Sequence, residues 1–140
     1  MSTECWLRRA LLTAAAATYI GAAVELVLVE HYEGVWQLVP FGVIAVGLLA
    51  IGMAWSAPTE RARVLKVVGA VAVVASVLGV YFHLEGNWTL VAEVRPDQSA
   101  AARAWDALSG GNPLLAPGMV ALAGVLGAVA GARGEERTDT

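Results

Sequence analysis

Four long runs almost free of charge dominate the chain and leave few folds open to it. Ala10–Val29 carries one charged side chain, Glu25. Val35–Trp55 and Pro113–Ala132 carry none, and Val67–Leu84 carries only His83. The hydrocarbon of a bilayer is about 30 Å thick and is crossed by about 20 mainly apolar residues in a helix. Backbone polar groups cannot stay unsatisfied in lipid, so such runs must be helices unless they close into a barrel. Barrel strands alternate polar and apolar residues over about 10 positions, and these runs do not alternate. The expected fold is all-α: a single four-helix transmembrane domain spanning residues 1–140. Composition agrees. The chain is 58% hydrophobic and only 15% charged, where a soluble domain is about a quarter charged.

Several classes are disfavoured at once. Net charge is −3 and there is no basic stripe, which speaks against nucleic acid as a partner. A single cysteine, Cys5, makes neither an internal disulfide nor a thiolate metal cluster. Arg8 and Arg9 before an apolar run imitate a signal peptide, with small residues at Ala22 and Ala23. The run continues past them at spanning length, so it reads as a membrane helix. No nucleophile–base pairing, phosphate-binding loop or HExxH stands in the sequence, so a non-enzymatic role is expected.

Basic residues set the orientation. Arg8, Arg9, Arg61, Arg63, Lys66, Arg133 and Arg137 fall on one side of the four spans, and only Arg95 and Arg103 fall on the other. The expectation is a multi-pass protein of the plasma (inner) membrane with both termini cytoplasmic. The loops Glu30–Gly34 and Glu85–Asn112 then face outward. Trp6 and Trp55 mark the inner interface, and Trp36 and Trp88 are interfacial anchors at the outer one.

The two outer loops begin alike. His31-Tyr32-Glu33-Gly34-Val35-Trp36-Gln37-Leu38-Val39 matches His83-Leu84-Glu85-Gly86-Asn87-Trp88-Thr89-Leu90-Val91 in its His, Glu, Gly, Trp, Leu and Val. Arg9-Ala10 and Arg61-Ala62 match at the same offset. The chain therefore reads as two duplicated helical hairpins, related by an axis along the membrane normal. The second copy has an insertion at 92–111. Pro96, Asp97 and Ser99 are start signals and Gly110-Gly111 a stop. Ala101, Trp105 and Leu108 recur between them at helical spacing, which predicts a short amphipathic helix at the outer interface.

Glu30, His31, Glu33, His83 and Glu85 collect at the outer ends of spans one and three. Part of this is ordinary helix termination. Gly34 and Gly86 suit the left-handed residue after a helix, and a histidine suits the negative end of a helix dipole. The glutamates do not suit it, because a carboxylate there faces that same negative end. A ligand or ion site is the alternative. Imidazole with carboxylate fits a divalent metal. His31 and Glu33 lie about 200° apart on a helix, so they converge only if the helix unwinds. Paired histidines also fit noncovalent haem or a proton site.

Glu25 stands apart as an intramembrane carboxylate, a type of residue that is often functional. With Glu33-Gly34, Leu38 and Pro40 after it, the first hairpin resembles the small multidrug resistance transporters, which also have four helices and a carboxylate in the first span. That resemblance implies proton-coupled transport with Glu25 as the coupling group. It does not extend to the third span, Val67–Leu84, or to the long second outer loop. Gly127 and Gly131 form a GxxxG pair, a motif that lets helices approach closely and can serve a homo-oligomer. The partners expected are the lipid bilayer and further copies or a larger membrane complex.

Overall fold

The structure is a computed structural model that describes residues 2–56, 61–111 and 114–135, with side chains to 133. The described residues form five α-helices: α1 (Thr3–Leu28), α2 (Val39–Ser56), α3 (Ala62–Val94), α4 (Ala100–Leu108) and α5 (Leu115–Glu135). A short 3-10 turn, Val35–Leu38, leads into α2. No strand occurs among the described residues. Four of the helical segments are long and apolar enough to cross a membrane, as in a multi-pass membrane protein.

The four long helices close a ring in chain order. α1 packs on α2 and α5, and α3 packs on α2 and α5. The diagonal pair α2 and α5 touch sparsely, and α1 and α3 do not pack on each other. The α3–α5 contact is the most extensive, and α2 is the most loosely held of the four.

Beside Leu12, Tyr19, Ile44 and Leu65, the buried interior of the bundle is rich in alanine, and many large apolar side chains face out. Ala15, Ala22, Ala50, Ala54, Ala72, Ala123 and Ala130 are buried, whereas Val24, Leu49, Val71, Val74, Val77 and Leu122 face outward. Water would drive the large side chains inward. In lipid that drive is absent, and small residues at the interfaces let backbones meet closely. Gly69 and Gly124 are the tightest point. A Cβ added at Gly124 would stand 2.8 Å from both the Gly69 carbonyl oxygen and the Ala72 Cβ. Gly131 lies equally close to the Ala62 carbonyl oxygen. The Gly127–Gly131 pair is therefore buried against α3 of its own chain. Between the neighbours α1 and α2, the buried Tyr19 ring covers Gly47.

Boundaries differ from the sequence expectation in a consistent way. α2 starts at Val39, with Pro40 in its first turn, and α5 starts at Leu115, with Pro117 in its first turn. Proline is favoured there because the first N–H groups of a helix have no partner within it. The expected start of the fourth span at Pro113, and Arg137, lie outside the described residues. The larger correction concerns the third span. It was expected to end at Leu84, yet α3 runs to Val94. Gly86 sits inside it and terminates nothing. At 1.5 Å per residue α3 is about 50 Å long, some 20 Å more than the hydrocarbon. The stretch beyond Leu84 carries α4.

The insertion folds as its start and stop signals predict. The Ser99 hydroxyl accepts from the Ala102 N–H, and the helix ends at Leu108. α4 packs on α3 alone among the helices. Asn87, almost fully buried, donates to the Ala107 carbonyl at 2.9 Å. That carbonyl is among the last four of α4, which have no partner within the helix. Arg95 and Gln98 both donate to Asp106 at 2.8 Å. The Arg103 guanidinium lies 5.6 Å from the centre of the Trp88 ring. Trp105 and Leu108 remain exposed on the face of α4 turned away from these bonds.

Candidate functional site

The two histidines arrive at the same end of the ring. His83 is partly buried on α3. His31 belongs to the turn after α1, on the opposite corner of the bundle. Their rings meet with centres 5.7 Å apart and planes tilted by 54°. Two helices that do not pack on each other are thus joined through one pair of imidazoles.

Local backbone geometry explains how His31 gets there. α1 ends four residues earlier than its glycine suggests. The Glu30 N–H donates to the Val27 carbonyl, and the His31 N–H donates to the Leu26 carbonyl at 2.9 Å. Two such bonds around a left-handed residue form a Schellman ending. The left-handed residue is Glu30, with φ of 55°, not Gly34. Gly34 has φ of −122° and precedes the 3-10 turn, where the Gln37 side chain accepts from its N–H. A left-handed residue with a Cβ costs about 1–2 kcal/mol. Such strain recurs beside functional positions, held in place by the surrounding structure. Here it lies directly before His31.

This yields a testable expectation. Glu30→Gly removes the strain and is expected to raise stability by about 1 kcal/mol, read as a higher unfolding midpoint in detergent. Glu30→Val should do the opposite, since a β-branched residue tolerates positive φ poorly. A glycine variant no more stable than the parent would contradict the assignment of strain to this residue.

The glutamates do not join the histidines. Glu30, Glu33 and Glu85 are exposed, and among the described residues no group of three or more His, Cys, Asp or Glu forms a metal cage. The helix does unwind around His31 and Glu33, as their convergence on one centre would require, but Glu33 turns to solvent. Trp36 is 87% exposed and Trp88 is 40% exposed. Neither tryptophan contributes to a core.

Glu25 lies in the last turn of α1, half-buried, only three residues from Leu28. That is about 4.5 Å from the helix end. Thr18, which shares its face by spacing, donates its hydroxyl to the Ala14 carbonyl of its own helix.

Two features escaped sequence reasoning. Arg8, expected only as a marker of orientation, is buried and donates to the Ala54 carbonyl at 2.8 Å. Asn87 fastens α4 to α3. Its one available signal was its position four residues after His83, on the same face of a helix.

Charge is segregated between the two ends. Arg8 and Arg9 in α1, Arg61, Arg63 and Lys66 at the start of α3, and Arg133 at the end of α5 share one end, opposite the histidine pair. Arg133 pairs there with Glu4 at 3.1 Å, joining α5 to α1. Among the described residues, the histidine end holds Glu25, Glu30, Glu33, Glu85, Glu93, Asp97 and Asp106 against Arg95 and Arg103 alone. An open cleft of about 330 Å³ lies between α3 and α4, lined by Leu90, Val91, Val94, Arg95, Asp106 and Ser109. Neither histidine lines it.

No known protein family, curated protein or solved structure matches the chain.

Proposed function

We propose that this chain is a non-enzymatic multi-pass protein of the plasma (inner) membrane, acting as a small binding protein or accessory subunit through a polar site at its outer end. The observation that carries the reading is the meeting of His31 and His83. Polar groups from opposite corners of a bundle converge there, and no packing demand accounts for them. Orientation rests on the basic end, which the positive-inside rule assigns to the cytoplasm along with both termini. The ring order of the helices favours two duplicated hairpins, since a two-fold axis along the bundle relates α1 to α3 and α2 to α5. α4 is the interfacial helix of the second copy, its exposed Trp105 and Leu108 resting in the outer headgroup layer. The bilayer is thus one partner, and a further copy or a larger membrane complex is the other.

The lone native cysteine makes the orientation testable. Cys5 belongs to the inner end, and Trp36 is the most exposed aromatic of the outer turn. In intact cells a membrane-impermeant maleimide is expected to label Trp36→Cys in a Cys5→Ser background. It should label Cys5 of the unaltered chain only after permeabilisation. The reverse pattern would place the histidine pair in the cytoplasm and overturn the reading.

A further inference from the structure

We propose that His31 and His83 together bind one divalent transition-metal ion, an inference that rests on the outward polar site just described. The first support is distance. With metal–nitrogen bonds of about 2.0–2.1 Å and a ring nitrogen about 1.1 Å from the ring centre, two imidazoles on one ion have centres about 5–6 Å apart. The observed separation is 5.7 Å. The second is chemistry. Neutral imidazole favours zinc, copper, nickel and their neighbours over calcium or magnesium. The third is field. Seven carboxylates face two guanidiniums at this end, and both guanidiniums are engaged: Arg95 with Asp106, and Arg103 with Trp88 and the Pro96 carbonyl. A cation approaching the pair meets attraction and no free positive charge.

The backbone prepares the site. The Schellman turn fixes His31 through two hydrogen bonds, and His83 is carried on an unbroken helix. Neither ligand has to be recruited from a mobile strand, so the ordering cost of binding is small. Two protein ligands leave the remaining positions to water or exchangeable ligands, which makes an open, reversible site and not a closed structural one. The ion would link α1 to α3, which share no helix packing, and would bind the folded chain only. Binding therefore raises the unfolding temperature.

The test uses the full chain in detergent, with any affinity tag removed. Zn²⁺ is titrated calorimetrically, and Cu²⁺ is followed by electron paramagnetic resonance. The expected result is one ion per chain, a raised unfolding midpoint, and nitrogen hyperfine structure from two imidazoles. His31→Gln and His83→Gln should each weaken binding at least tenfold, about the 1.4 kcal/mol that a factor of ten represents. Absence of saturable binding up to about 1 mM, the weak end of specific affinity, would overturn the proposal. So would binding that survives both substitutions. If the variants fail to fold, the copper spectrum of the unaltered chain decides, and a spectrum without nitrogen coupling overturns the assignment. Metal failure with Trp36→Cys labelled from outside removes the ligand class and leaves the outward site standing. Labelling from the wrong side removes the outward site whatever the metal does.

Discussion

Gly124→Val is expected to cost the chain about 3 kcal/mol or more, the upper part of the range for overpacking a filled interface. The cause is geometric. The new Cβ would meet the Gly69 carbonyl oxygen and the Ala72 Cβ at 2.8 Å. The first of these is backbone and cannot swing aside. Relief requires α3 and α5 to separate, and their contact is the most extensive in the bundle. Gly118→Val is the control, because a Cβ there meets nothing within 4 Å. Fraction folded against a denaturing detergent measures both. Similar losses at the two positions would mean that glycine matters here for helix flexibility and not for close approach.

Arg8→Ala is expected to cost about 2–3 kcal/mol, the range for a hydrogen bond to a charged group together with the penalty for the acceptor left behind. The Ala54 carbonyl is in the last turn of α2, where helix carbonyls have no internal partner and the dipole favours a cation. Because α2 is the most loosely packed of the long helices, the loss should fall mainly on it. Hydrogen exchange is expected to quicken over the half of α2 that ends at Ser56 and to change little in α3 and α5. Arg8→Lys should recover part of the loss, since one ammonium can still donate but lacks the planar fork. Uniform acceleration across all helices would show that Arg8 supports the whole bundle and not the end of α2.

The spans were readable because lipid imposes length and apolarity directly on the sequence. Charge placement was readable for a similar reason. The polar cluster was legible only as composition. Pattern gave His31 and His83 the same register, and their meeting followed from ring order, which no local signal encodes. The helix ends were misread where one residue type has two uses. Gly34 and Gly86 match in sequence, yet one precedes a 3-10 turn and the other continues a helix. The left-handed position fell to Glu30, against its own preference, because bonds from neighbouring amides hold it. Arg8 and Asn87 were hidden because each caps a helix other than its own.

The length of α3 has a mechanical consequence. Between Ala62 and Gly79 the helix is clamped, first by Gly131 and Gly124 and then by Pro117 of α5. Beyond Gly79 it overhangs those α5 contacts, about 22 Å to Val94, with His83 near the root meeting His31. Tilting that overhang by about 10° would carry Val94 and its α4 passenger about 4 Å, but His83, at the root, only about 1 Å. Whatever pulls on the outer arm, the imidazole pair stays close to its resting geometry, much as a hinge pin moves little while the door swings.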